Sequence, residues 1–382
     1  MEKFLVSKGP YIRSADDNKR TTSKIMRDVY IALLPVILFT IYKNVIKVFI
    51  SGMYQSVYQA LYPLLLIIIG PLFSIILELL CLFIIHRDEI NNFKDLIEIE
   101  KTEFGGLPGL FFVLTLPPYT PLWIVLIGIA VGEVVGKMLF GGFGQNIFNP
   151  ALVGRAFVAF TFSSYLGGAY LNPLEASIDA YAGATPLTFY SKLDVANITY
   201  ENTVSPFGGL LNFFLGLTPG GIGETSALAI LIGGIYLSIR KVIDWRIPLT
   251  YIGVVFITTF FIGLKVDGGI WYPTYMILSG GLFFGAFFMA TEPVTSPKTA
   301  LARVIFAAFL GVLTVLFRII GNMPEGVATA IVTMNIFGLA INQYVIKLRI
   351  AGKLEKRFIP GLVVMIVLFV VLFTYTIVFA LN

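Results

Sequence analysis

Residues 61–86 read LYPLLLIIIGPLFSIILELLCLFIIH, a run with one carboxylate, Glu78, and no lysine or arginine. A helix needs about 20 apolar residues to cross the hydrocarbon core of a bilayer. This run is long enough to cross, and too apolar on every face for a water-facing surface. Working outward from it, similar runs occupy 29–50, 121–140, 148–168, 225–240, 248–264, 271–290, 300–319, 327–346 and 361–381. Residues 107–117 form a shorter run that ends at Pro117-Pro118 and reads as a half-helix. Composition agrees. Of 382 residues 57% are hydrophobic and 13% charged, with mean hydropathy +0.87, whereas a soluble domain carries roughly 25% charged residues. The expectation is an all-α polytopic membrane protein.

Lysine and arginine set its orientation. The tail 1–28 carries Lys3, Lys8, Arg13, Lys19, Arg20, Lys24 and Arg27. With that tail cytoplasmic, Arg87, Lys94 and Lys101 fall on the same side, as do Arg240, Lys241 and Arg246, then Lys298 and Arg303, then Lys347 to Arg357. The long loop 169–224 falls outside and holds Lys192 against Glu175, Asp179, Asp194, Glu201 and Glu224. The reading divides the chain into a tail (1–28), a first five-helix half (29–168), an extracytoplasmic loop (169–224), a second five-helix half (225–346), and a basic loop with an additional helix (347–382). The two halves start on opposite sides, giving inverted topology over about ten transmembrane helices. No cleavable signal peptide is visible; the first apolar run is already of span length.

The single cysteine, Cys81, and the single histidine, His86, exclude an internal disulfide, a cysteine-held cluster and multi-histidine metal ligation. Redox chemistry here needs an organic cofactor. The net charge of +5 follows the topology and does not mark a nucleic-acid binder.

Three Gly/Pro-rich breaks interrupt the apolar pattern: 141–150, 218–226 and 291–297. Irregular backbone at membrane depth persists where protein or a cavity satisfies it. Each break leads into an apolar helix, whose free N–H groups suit an anion or a ring carbonyl.

Five segments carry a resemblance. They are Gly144-Gln145-Asn146 with Asn149-Pro150-Ala151-Leu152 and Gly154-Arg155-Ala156-Phe157; Asp179 with Gly183-Ala184-Thr185-Pro186-Leu187; Gly223-Glu224-Thr225-Ser226; Ala290 to Pro297; and Pro324-Glu325-Gly326. In this order the chain resembles the NqrB/RnfD family, flavin-carrying membrane subunits of the Na⁺-translocating NADH:quinone reductase and of the Rnf complex. The stretch Val6-Ser7, Pro10 and Ile12-Arg13, with Ile25 to Val29 and Ala32-Leu33-Leu34-Pro35, is more similar to the RnfD branch. The helix at 361–381 goes beyond the usual end of that branch.

The resemblance implies a bacterial inner-membrane protein with FMN joined through its phosphate to Thr185, a phosphothreonine ester made by a flavin transferase. Ala180 and Ala182 stand where the family commonly has Gly and Ser. The plainer reading of the motif is a turn. Gly223-Glu224-Thr225-Ser226 reads as a capped helix start whose donors also suit the FMN ring. Asn146, Asn149 and Pro150, expected on the cytoplasmic side, match a region that holds non-covalent riboflavin in the quinone-reductase relative; the plainer reading is a helix-break network. Arg155 either neutralises a reduced flavin or pairs with a carboxylate. Glu78 and Glu133 are intramembrane carboxylates, hence candidates for a Na⁺ or H⁺ route; alternatively Glu133 forms an i,i+4 ion pair with Lys137. Glu292 and Arg303 are expected to brace the 291–297 break.

The implied function is a flavin-carrying oxidoreductase subunit with no complete activity alone. Implied partners are the other Rnf-type subunits: a second covalent-FMN subunit, a membrane iron–sulfur pair, and a subunit on the ferredoxin and NADH side. The other reading is a small-solute transporter or channel with inverted repeats.

Overall fold

The structure is a computed structural model. It describes residues 21–52, 56–85, 87, 92–167, 169–170, 185–190, 198–264, 269–321 and 326–350. Asp179, Gly183, Ala184, Pro324-Glu325 and the 361–381 helix lie outside the described residues. Among the described residues every regular element is helical. The principal helices are α1 (Thr22–Ser51), α2 (Val57–Ile85), α3 (Phe93–Glu103), α4 (Gly106–Leu114), α5 (Leu122–Gly136), α6 (Pro150–Thr161), α7 (Ala227–Ile239), α8 (Arg246–Gly263), α9 (Trp271–Leu278), α10 (Leu282–Met289), α11 (Ala300–Ile319) and α12 (Gly326–Ile350).

Helix α2 shows why this sequence folds in lipid. Its buried residues include Ala60, Pro63, Ile67, Gly70, Ser74, Glu78 and Leu82, a stripe that is partly small and polar. Its exposed residues include Ile68, Leu72, Ile76, Leu80 and Ile84, at every fourth position. An exposed all-aliphatic stripe opposite a polar buried one is the inverse of a soluble helix, and small buried residues let neighbouring backbones approach. By length and composition six helices among the described residues can cross a membrane, or seven if α9 and α10 are one bent span; α6 and α7 are shorter apolar helices. The protein is an all-helical, polytopic membrane protein.

Packing repeats between the two parts of the chain. Helix α2 packs on α4 and α5, and α5 on α6. In the second part α8 packs on α9 and α11, and α11 on α12. Contacts α1–α7 and α6–α12 join the sets. The third member of each set is irregular: α4 has nine residues, and α9 and α10 meet at a 65° bend.

Several element boundaries differ from the sequence reading. Helix α1 starts at Thr22, seven residues earlier than expected, because Thr21 caps it by accepting from the Lys24 N–H (3.4 Å). Asp28 is therefore helical; it is buried and accepts from Arg240 Nε (3.1 Å) and Tyr236 Oη (3.2 Å), tying α1 to α7. The run 271–290 is not one helix. Ser279 is extended and Gly280 has φ +66°, so the chain turns there before α10. The run 148–168 breaks at Phe162. Helix α3 was not expected, since its polar composition hid a capping box between Asn92 and Asp95.

Candidate functional site

Thr185 is 5% exposed and precedes a short helix, Pro186–Tyr190. Its Oγ1 lies 2.8 Å from Thr188 Oγ1 and accepts from the Thr188 N–H (3.2 Å). It stands at a cleft of about 380 Å³ whose walls are the 218–225 break and the α9–α10 bend. The lining residues are Thr218 to Gly221, Glu224, Thr225 and Leu278 to Gly280, with Pro186 and Leu187 beside Thr185. The sequence-predicted segments at Thr185 and at Gly223 to Ser226 thus meet in space. Ser226 caps α7, accepting from the Ala229 N–H (3.2 Å). Gly223 donates to Leu114 O (2.7 Å) and its neighbour Ile222 to Leu116 O (2.7 Å), which fastens the break to α4.

Two buried cations stand behind the walls of the cleft. Arg318 is buried and donates to Met276 O (2.6 Å) and Ser279 O (3.1 Å), capping the C-terminal end of α9. Its Nε and the Ser279 hydroxyl are buried without a hydrogen-bond partner. Lys43, in a π-turn of α1, is also buried and donates to Thr218 O (2.6 Å) and Thr225 Oγ1 (2.9 Å). Neither cation pairs with a carboxylate among the described residues. Arg318 acts on the Glu224 carboxyl only beyond ion-pair distance, and a buried cation without a close counter-ion is expensive, so the donor set fits an anionic or carbonyl-bearing ligand. Neither cation stood out in the sequence, because nothing there shows which end of α1 or α11 turns inward.

Glu224 is shared between this cleft and a second one of about 330 Å³, lined also by Thr115, Leu152, Arg155, Phe284 and Met289. Burial pushes the Glu224 carboxyl up to about 7, with Arg155 and Arg318 pulling it back. Its oxygens lie where a Cβ on Gly281 would stand, so only glycine admits this approach. Arg155 donates from Nε to Thr115 O (3.1 Å). It therefore faces this middle cleft, not the cavity of Asn146 and Asn149, because its side chain leaves α6 more than a turn beyond the Asn149 cap.

That cavity measures about 720 Å³. It lies where the 141–150 and 291–297 breaks meet, walled by Phe104, Phe111, Phe143, Phe287 and Phe288. Asn146, Asn149, Pro150, Lys137, Thr291 and Glu292 supply its polar edge. Flat aromatic walls with a few convergent polar groups suit a planar ring. Asn149 caps α6 by accepting from the Leu152 N–H (3.2 Å), with Pro150 at the first helical position. Among the described residues its amide donates to the Met289 thioether (3.6 Å), a weak acceptor that a ring carbonyl would outcompete. Asn146 donates to Phe148 O (2.9 Å). Both asparagines therefore serve the helix break while facing the cavity. The Glu292 carboxyl accepts from Thr295 (3.0 Å), and Arg303 donates to Pro297 O (2.9 Å) and pairs with Asp244. Both brace the 291–297 break.

Glu78 and Glu133 come together, though not as expected. Lys137 pairs with Glu78 and donates to Glu103 O (2.8 Å); Ser74 donates to Glu133. The i,i+4 pair with Glu133 fails because α5 ends at Gly136 and Lys137 leaves helical geometry (φ −127°). One oxygen each of Glu78 and Glu133 is buried without a partner.

The profile of the NQR2, RnfD, RnfE family matches residues 5–351. The NqrB protein of Azotobacter vinelandii, part of a Na(+)-translocating NADH-quinone reductase, is 39% identical over 263 residues, 68% of this chain and 63% of that one. The same-named protein of Ectopseudomonas mendocina is 37% identical, and the match covers 65% of its length. The chain thus spans a little under two thirds of these relatives. The RnfD-type protein of Clostridium ljungdahlii, part of a proton-translocating ferredoxin:NAD(+) oxidoreductase complex, is 35% identical over 337 residues, 87% of this chain and 91% of that one. With the profile running through all three breaks, the three cavities and the helices that carry them, the chain belongs to the NQR2, RnfD, RnfE family.

Proposed function

We propose that this chain is a membrane subunit of an ion-translocating oxidoreductase complex, closer to the ferredoxin:NAD⁺ type than to the NADH–quinone type. The greater mutual coverage with the RnfD-type relative supports the choice. In this reading Thr185 carries FMN as a phosphoester and the Asn146–Asn149 cavity holds a second flavin, riboflavin. Bound flavin would supply one-electron chemistry; the protein supplies spacing, orientation and electrostatics. The tail and the Lys/Arg-rich loops support a reading with the Asn146 end cytoplasmic and the Thr185 end outside. Ferredoxin and NAD⁺ are handled by partner subunits, and coupling to an ion belongs to the assembled complex.

The observation that carries this reading is the arrangement of cavities. The Thr185 cleft and the Asn146–Asn149 cavity sit at opposite ends of α7: Thr225 lines one and Leu237 the other. At 1.5 Å per residue they are roughly 18 Å apart. The middle cleft joins them, since Glu224 lines both it and the outer cleft and Met289 lines it while contacting Asn149. Two sites in line across the bundle suit a relay between its two ends.

Intact mass decides the matter. Protein from cells with the attaching enzyme should be heavier than its sequence by FMN less water, and Thr185→Val should lose that increment. A wild-type mass equal to the bare polypeptide, with solute uptake by flavin-free protein in liposomes, would replace this reading by a transporter.

A further inference from the structure

We propose that Lys43 is a positioning cation for the outer cleft, acting through the Thr225 hydroxyl; this rests on the FMN reading above. Helix α1 fastens the 218–225 break at three points: Thr40 Oγ1 donates to Ile222 O (2.7 Å), and Lys43 Nζ donates to Thr218 O and Thr225 Oγ1. Thr40 alone would fix the break. Lys43 adds an ammonium that is 2% exposed and faces no carboxylate among the described residues. Taking such a charge out of water costs several kcal/mol unless an anion or a strong dipole compensates it. A methionine would fill the same space without that cost.

The hydrogen-bond directions show where the charge is felt. A hydroxyl has one proton to give. Thr225 Oγ1 accepts from Lys43 and, among the described residues, donates to none. Thr225 lines the Thr185 cleft, with its methyl against Gly220, and its hydroxyl proton is uncommitted among the described residues. Accepting from an ammonium polarises the hydroxyl and makes it a stronger donor. The residue is thus a relay of charge: the ammonium stays behind the wall and the hydroxyl presents its effect at the surface. An isoalloxazine ring tethered at Thr185 gains one negative charge when it gains one electron. Lys43 stabilises that charge more than the neutral oxidised ring and raises the reduction potential.

The test is a reductive titration of the purified, FMN-bearing protein with dithionite in the presence of a reference redox dye of known potential, followed by absorbance and paired with intact mass. Lys43→Met should keep the FMN mass and shift the oxidised-to-reduced balance of the covalent flavin about tenfold toward oxidised, or about 59 mV lower for a one-electron couple. Lys43→Arg should stay within about threefold of wild type. Thr225→Val, which leaves Lys43 on Thr218 O, should shift the balance in the same direction as Lys43→Met. Adding Lys43→Met to it should change little more, because the two act in series. Thr225→Val decides the question where Lys43→Met does not fold. If the mass is present but neither variant moves the potential beyond about twofold, the inference is wrong and the FMN reading stands. A wild-type protein without the added mass overturns both.

Discussion

At the scale of single residues, the buried ion cluster of α2 and α5 makes the sharpest demand. Lys137 is the cation that partners Glu78, and its chain also closes on Glu103 O. Removing it leaves a carboxylate stranded in a medium of low dielectric, a change that typically costs about 3–5 kcal/mol. Lys137→Met should therefore lower the midpoint of thermal unfolding in detergent, and Glu78→Gln added to it should restore most of the loss. A double variant no more stable than the single one would show that the pair does not set stability. Gly105 belongs to the same cluster, because a Cβ there would strike the Glu78 carboxylate. Glu224 adds a pH dependence. Its folded-state value of about 7 lies above the ordinary 4.5, so the native protein holds the extra proton between those values. The stability it contributes is fully present below about pH 4.5 and is lost as pH rises through about 7. Glu224→Gln should flatten that slope in thermal melts of flavin-free protein.

At the scale of elements, the site is built from helix ends. Ser226 and Asn149 each cap a helix that opens beside a cavity, and replacing either by alanine should cost about 1 kcal/mol. The two predictions differ in a second readout: Asn149→Ala should weaken riboflavin binding in the cavity, measured by fluorescence, while Ser226→Ala should leave it unchanged. Much of this was legible in the sequence. The Gly/Pro breaks at 141–150, 218–226 and 291–297 marked themselves, as did Asn149-Pro150 and the shortness of 107–117. What was not legible depends on which way a helix faces. Arg155 follows Asn149 closely in sequence yet faces a different cleft. Lys43 and Arg318 sit in apolar runs, where a lone cation reads as a helix end near water; only the packing of α1 and α11 shows that both turn inward. The α9–α10 bend was hidden because Ser279-Gly280-Gly281 is short and its flanks are as apolar as an unbroken span.

At the scale of the whole molecule, the two sets of helices meet along α1–α7 and α6–α12, and both the Asn146–Asn149 cavity and the outer cleft depend on each set. The Asn146–Asn149 cavity takes its asparagines from one and Thr291 and Glu292 from the other. The outer cleft takes its walls from the second set and its fastening from α1 and α4. Its construction also has a bearing on biogenesis. Thr185 is nearly sealed by 218–225 and 278–280, and the bend is held by Arg318, all of which leave the ribosome after Thr185 does. An ester on that hydroxyl is therefore most easily formed while the growing chain is still threading into the bilayer, before its later helices arrive to shut the door. Under the FMN reading, cells that supply the transferase only after synthesis has stopped should accumulate protein that is folded and inserted but lacks the FMN mass at Thr185.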